Sequence, residues 1–233
     1  MTQAAFADSN APTRDGSVVL DDLLATCRSA LEAAETLRAE AERAVAGLVA
    51  PDGKVSGKAV MQEQLAAHGY AWLATYAMTL KETLAWAERL DGQGQLREQE
   101  QLILQIGFGE YLAQMTGGIA MSQGEIVRPD DMNVSAQAID AFAGDAAVTR
   151  LVRHGNTNAA RMRLCALMVE HYDQRDFGLP REGDETLEMV RDQFRKIADA
   201  HAQDAHEWHL KDELIPMDVV NQLAELGVFG LTV

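Results

Sequence analysis

The chain has 233 residues, 47% of them hydrophobic, with 36 acidic against 20 basic side chains and a formal net charge of −16. That length suits one large domain or two small ones with a buried core, and the composition is that of a globular protein. The charge argues against nucleic-acid or anionic-lipid partners, which demand a basic footprint, and no apolar run approaches the ~20 residues of a membrane span.

Aromatic residues make up only 6% of the chain. The apolar load falls on Ala, Leu, Val and Met, which suit helices better than sheets. Cys27 and Cys165 each lie in an apolar helical pattern, and there is no CxxC, so both read as reduced thiols rather than zinc or dithiol sites. The N-terminus lacks a basic segment leading into an apolar one, so no secretory leader is expected and the setting reads as cytoplasmic.

Residues 1–16 are polar and rich in small side chains, and are expected to be a disordered tail. Leu20, Leu24, Cys27, Leu31, Ala34, Ala41, Val45 and Leu48 then recur at three- and four-residue steps and predict a long helix, with Asp21 and Asp22 in its first turn. Pro51-Asp52-Gly53 ends it. A second helix is predicted from about Lys58 to Leu90, with Met61, Leu65, Trp72, Leu73, Tyr76, Leu80, Leu84 and Ala87 on one side. Asp91 to Gln95 reads as a flexible connector. The third helix, about Leu96 to Met115, is interrupted by Gly107 and Gly109, which mark close approach of a neighbouring helix more often than of a ligand.

From Gly117 to Asn133 the helical pattern lapses into a long loop, with no convincing strand alternation. Shorter helices follow over about Ser135–Phe142, Asp145–Arg153 and Asn158–Tyr172, the last capped by Asn156 or Thr157. The loop Phe177–Asp184, with Gly178, Pro180 and Gly183, is the best candidate for a domain boundary. Beyond it Asp184 caps a helix with an apolar face at Leu187, Val190, Phe194, Ile197, His201, Ala205 and Trp208. A last helix starts at Pro216 and stops before Gly227, a strong pair of start and stop marks. The reading is all-α: a tail over 1–16, an elongated helical extension over 17–180, and a second helical segment over 184–233.

Chemistry is harder to find. In HAQDAHEWH, His201, Asp204, His206, Glu207 and His209 are metal-binding residue types, but His206 and His209 lie roughly 300° apart around a helix and no HExxH occurs. Amphipathic side chains near a helix end are the simpler reading. Gly92-Gln93-Gly94 and Gly107-Phe108-Gly109 are half-fingerprints without a third glycine or a preceding strand. Arg150, Arg153, His154, Arg161 and Arg163 form a basic locale that reads as a solvated, counter-charged helix face. Tyr70, Trp72, Tyr76 and Trp86 have core spacing rather than that of a cofactor stack. Residue types and spacing nominate no catalytic, cofactor-binding or metal-ligating residue.

The run FRKIADAHAQDAHEWHLKDELIPMDVVNQLAELGVFGLTV, Phe194 to Val233, resembles the opening of the N-terminal helical domain of the acyl-CoA dehydrogenase family. Pro216, VVNQLAEL, Gly227 and Gly230 are its more specific part. A proline often found between helix and linker in relatives is missing from Ala202-Gln203-Asp204-Ala205. Upstream, GYAWLATYAMTLKETLAWAERL and LILQIGFGEYLAQMTGGIAMSQGEIVRP resemble the helical extension of the methylsuccinyl-CoA dehydrogenase branch, which ordinary members lack. The resemblance implies an FAD enzyme that desaturates an acyl-CoA thioester, with a glutamate base, an electron-transfer flavoprotein as oxidant, and a homo-oligomeric assembly. No position from Met1 to Val233 matches the family's catalytic or flavin-binding motifs, so the base and the flavin site are expected outside this chain. The apolar end at Val228, Phe229, Leu231 and Val233 likewise reads as the front of a longer enzyme, inactive alone. A free-standing helical interaction module is the alternative.

Overall fold

The structure is a computed structural model that describes residues 18–171 and 185–230. The expectations for the tail 1–16, the boundary loop Phe177–Asp184 with its Asp184 cap, and the terminal Leu231 and Val233 lie outside the described residues. The chain divides into two compact units, Met1–Gly178 and Leu179–Val233.

In the first unit, α1 (Leu23–Val49) runs 27 residues, about 40 Å at 1.5 Å per residue. Of the predicted face, Cys27, Ala34, Ala41 and Val45 are buried, joined by Ala30 and Leu37, while Leu20, Leu24, Leu31 and Leu48 are only partly covered. Asp21 and Asp22 do not enter the first turn. Asp22 is the N-cap residue, left-handed at φ 53°, and makes no side-chain cap. The turn is held instead from outside, where Arg150 Nη2 donates to the Asp21 carbonyl at 2.8 Å. Aspartate tolerates this conformation better than most residues.

The single helix expected from Lys58 to Leu90 is two. Ser56 Oγ caps the short α2 (Gly57–Gln62), the backbone leaves helical geometry at Glu63, and α3 (Gln64–Gly92) follows. Met61 of α2, which buries no side chain, and Leu65 in the first turn of α3, both counted on the apolar side, are exposed. Of α2 only Val60 packs partly against the core, so periodicity read across the break overstates the buried face. α3 also runs through Asp91 and Gly92, so only Gln93–Gln95 is left to turn, with Gly94 at φ 67°.

Downstream, α4 (Glu98–Gly117) leads into the stretch expected to be a loop. There β1 (Ile119–Ser122) and β2 (Glu125–Val127) form an antiparallel hairpin, and a 3-10 turn covers Pro129–Met132. The strands have four and three residues, too few for alternation to stand out in sequence. Ile119 and Val127 face each other in register and are buried. Val127 seats against α3 where Gly69 leaves room, since a Cβ on Gly69 would lie 2.4 Å from Val127 Cγ2.

Three short helices close the unit: α5 (Ala136–Gly144), α6 (Ala146–His154) and α7 (Asn158–Glu170). Each starts on a side-chain cap, Ser135, Asp145 and Thr157, accepting backbone N–H groups of the first turn. Of the two candidate caps for α7, Thr157 is the one used. A continuous apolar core joins α1, α3, α4, the hairpin, α5 and α6, and a smaller cluster of Leu102, Ala160 and Leu167 lies under α7.

The second unit contains α8 (Glu185–Leu210), α9 (Met217–Glu225) and a 3-10 turn over Val228–Gly230. Pro216 is the N-cap residue of α9, and Gly227 ends it at φ 74°. None of these elements buries a side chain. Phe194, Ile197, His201 and Trp208 of α8, and Val219, Val220 and Leu223 of α9, are half-buried. With nine α-helices and one small hairpin among the described residues, the protein is all-α.

Candidate functional site

The basic locale around α6 and α7 is built into the fold. Arg150 clamps the entry to α1. Arg163 makes a bidentate pair with Glu98 of α4, Nε to Oε1 at 2.8 Å and Nη2 to Oε2 at 2.5 Å. Those hydrogen bonds hold the Glu98 carboxyl below its ordinary pKa, against the opposing effect of desolvation. Arg161 donates to the Asn156 carbonyl at 3.3 Å. Three of the five basic residues are therefore engaged with the protein itself, and the structure gathers no anion-binding cluster from them.

The histidines of α8 are equally dispersed. Among the described residues no group of three or more His, Cys, Asp or Glu side chains could hold a metal ion. His201 Nε2 lies 3.4 Å from Gln222 Oε1 of α9, and its ring sits 6.3 Å from that of Trp208. Glu207 pairs with Lys211 one turn on.

The aromatic residues of α3 are more organised. Trp72, Tyr76 and Tyr111 of α4 form an edge-on series with centroids 6.1 and 4.5 Å apart. The Tyr76 hydroxyl donates to Gln114 Oε1 at 2.7 Å, Gln114 Nε2 to Glu110 Oε1 at 2.7 Å, and Asn156 Nδ2 to Glu110 Oε2 at 2.7 Å. Burial, and then the neighbouring Tyr111 and Glu110, raises the Tyr76 pKa and keeps the phenol a donor. This chain of polar groups ties α3 and α4 to the turn between α6 and α7. Core spacing predicted burial for Tyr76 and it is buried, whereas Tyr70, Trp72 and Trp86 are only partly covered.

Two features escape sequence reading. Gln105 is fully buried on α4: its Oε1 accepts from Leu20 N at 2.7 Å, and its Nε2 donates to the carbonyls of Val18 and Gly155, both at 3.1 Å. It staples the segment before α1 to the end of α6. A polar residue in an apolar stretch gives no hint of which distant carbonyls it will meet. The second is a cleft of ≈ 490 Å³ between α1 and α5, floored by Ala33, Leu37, Ala138 and Phe142 with Glu40 and Asp145 at its polar margin. Both carboxylates already serve the fold, Glu40 with Arg43 and Asp145 as the α6 cap. Among the described residues, no helix is long and apolar enough to cross a membrane.

Residues 184–233 match the family described as acyl-CoA dehydrogenase, N-terminal domain. Over 219 residues, 94% of this chain, the sequence is 50% identical to (2S)-methylsuccinyl-CoA dehydrogenase of Cereibacter sphaeroides, and the match covers 39% of that protein. The chain thus spans well under half the length of this relative, and its similarity extends across both units.

Proposed function

We propose, from the premise that residues 184–233 carry the start of an acyl-CoA dehydrogenase N-terminal domain, that the chain is the N-terminal part of a methylsuccinyl-CoA dehydrogenase. The observation that carries this reading is 50% identity sustained over 219 residues, which takes in the helical extension as well as the family domain. Chance sharing of a common redox domain would leave the extension unmatched. On this reading residues 17–180 are the extension, residues 184–233 begin the shared domain, and the reaction is α,β-dehydrogenation of (2S)-methylsuccinyl-CoA to mesaconyl-CoA in the cytoplasm. Electron-transfer flavoprotein would be the oxidant and a homo-oligomer the working assembly.

Neither α8 nor α9 by itself offers a flavin site. α8 and α9 bury no side chain, and a dinucleotide cofactor needs a walled, largely pre-formed pocket. The redox centre and the catalytic base therefore belong, on this proposal, to sequence other than residues 1–233. The same burial pattern weighs against the alternative of a free-standing interaction module. The first unit closes its own core, but in the second Leu214, between α8 and α9, is 92% exposed and Phe229, in the turn after α9, 60%. Apolar helices of that kind gain their stability from packing partners rather than from propensity.

The test compares this chain with a version extended to the relative's length, assayed with (2S)-methylsuccinyl-CoA and an artificial electron acceptor. The extended protein is expected to carry flavin and turn the substrate over, while the 233-residue chain does neither. Flavin bound tightly by the short chain, or an extended, flavin-loaded protein that ignores methylsuccinyl-CoA, would refute the proposal.

A further inference from the structure

α1 and α5 pack together without closing on each other. The cleft of ≈ 490 Å³ left between them lies inside the range of ~300–1,000 Å³ in which proteins hold small molecules. Small side chains keep it open. Ala33 lines the α1 wall and Ala138 and Ala141 the α5 wall, and none of them reaches far enough to fill the gap. Leu37 and Phe142 at its base are both buried and belong to the main apolar core.

Charge at the rim is one-sided. Glu40 and Asp145 line the cleft, and no Lys, Arg or His does. Each carboxylate serves the fold through one oxygen. Glu40 Oε1 pairs with Arg43, and Asp145 Oδ1 accepts from Ala147 N and Val148 N. Among the described residues, Glu40 Oε2 and Asp145 Oδ2 accept from no protein group. The Arg43 side chain is 70% exposed, so little is lost when another cation takes its place. The first turn of α5 also reaches the cleft, at Ser135 and Gln137, and its dipole opposes with about half a positive charge. Two full carboxylates outweigh it. Thr36 adds nothing of either sign, since its hydroxyl donates to the Glu32 carbonyl at 2.9 Å.

We infer that this cleft is a binding site for a small lipophilic cation, its apolar body seated on Leu37 and Phe142 and its ammonium held at the rim by Glu40 and Asp145. The apolar floor accepts any oily molecule of the right size, and the carboxylates select the sign. A ligand carrying phosphate or carboxylate meets two like charges and is rejected. The inference stands on α1, α5 and the cap of α6, and is independent of the enzymatic reading.

Three probes on one skeleton test it: 4-phenylbutylamine, 4-phenylbutanol and 4-phenylbutyrate, which are positive, neutral and negative at neutral pH. Binding to the 233-residue chain is read by titration calorimetry and by the NMR signals of the alanine methyl groups. The amine is expected to bind at least ~10-fold tighter than the alcohol, as two partly exposed ion pairs allow, and the acid not measurably. The methyl signals of Ala33, Ala138 and Ala141 should move with the amine. Glu40→Gln together with Asp145→Asn, which keeps a good N-cap, should bring the amine down to the affinity of the alcohol. Should the double variant lose the parent's circular dichroism, Glu40→Gln alone carries the test, with a loss of at least ~3-fold for the amine and none for the alcohol. Ala141→Leu, at an exposed position, should weaken amine and alcohol alike. Absence of amine binding, or equal binding of amine and alcohol, overturns the proposal. So does amine binding unmoved by the Glu40 and Ala141 variants, which would show only that a chain of net charge −16 attracts cations at large.

Discussion

Gly109 of α4 and Asn156 of the turn after α6 meet so closely that a Cβ on residue 109 would lie 2.8 Å from the Asn156 backbone nitrogen and 2.9 Å from the Leu151 carbonyl oxygen. Gly155 completes the contact, since its own Cβ would fall 3.3 Å from the Gly109 Cα. Two pieces of main chain touch here with no side chain between them. Gly107, two residues away, has nothing within 4 Å of the same construction. Gly109→Ala is therefore expected to destabilise the protein by about 1–3 kcal/mol, because backbone atoms cannot swing aside. Gly107→Ala should stabilise it by about 0.5–1 kcal/mol through helix propensity. Urea unfolding of the two variants side by side checks this, and equal signs would contradict the contact.

Removal of the Gln105 side-chain amide should cost more than its small volume suggests. Gln105→Leu leaves Leu20 N–H and the carbonyls of Val18 and Gly155 without their partner in a largely buried place. A loss of about 2–3 kcal/mol is expected. Hydrogen exchange at the Leu20 amide should also accelerate more than at amides in the middle of α3. A uniform change in exchange across the unit would argue against a local staple.

Stability in acid should depend on Glu98. Its folded-state pKa lies below the ordinary 4.5 because Arg163 donates two hydrogen bonds to it. A depressed carboxyl stabilises the fold above the unfolded-state value and loses that contribution as pH falls through the folded value. Both side chains are 40% exposed, so solvent and salt reduce the size of the effect. Glu98→Gln should be less stable than the parent at neutral pH and converge with it as pH falls below the carboxylate range. A gap that stays constant with pH would remove the ion pair as its cause.

The two thiols should behave oppositely. Cys165 is exposed on α7, while Cys27 is buried on α1 and its pKa is pushed up to about 12 by burial, with Arg28 opposing. A maleimide at neutral pH is expected to modify one thiol in the folded protein and two in denaturant. A raised thiol pKa also means that stability falls as pH climbs from the ordinary 9.0 towards about 12, since the unfolded chain releases a proton that the folded one retains. Rapid native labelling of Cys27, mapped by mass spectrometry, would contradict the burial.

Spacing in the sequence was enough for helix class, for part of the buried face of α1 and for the start and stop of α9. Apolar side chains at steps of three and four, Ser, Thr and Asp ahead of them, and Pro216 with Gly227 around them all act within one or two turns of chain. The residues of Phe194–Val233 likewise sufficed for the resemblance to the acyl-CoA dehydrogenases, and the match over 184–233 bears it out. Tertiary structure alone decided the rest. It split the helix at Glu63 and left α2 with no fully buried side chain. It folded Gly117–Asn133 into a hairpin, because Val127 can seat against Gly69 across 58 residues of sequence. It turned Arg150, Arg163 and Gln105 into staples between segments distant in sequence. Local propensity is summed over neighbours along the chain, whereas these contacts exist only once helices far apart in sequence have come together, and no periodicity records which partners they will find.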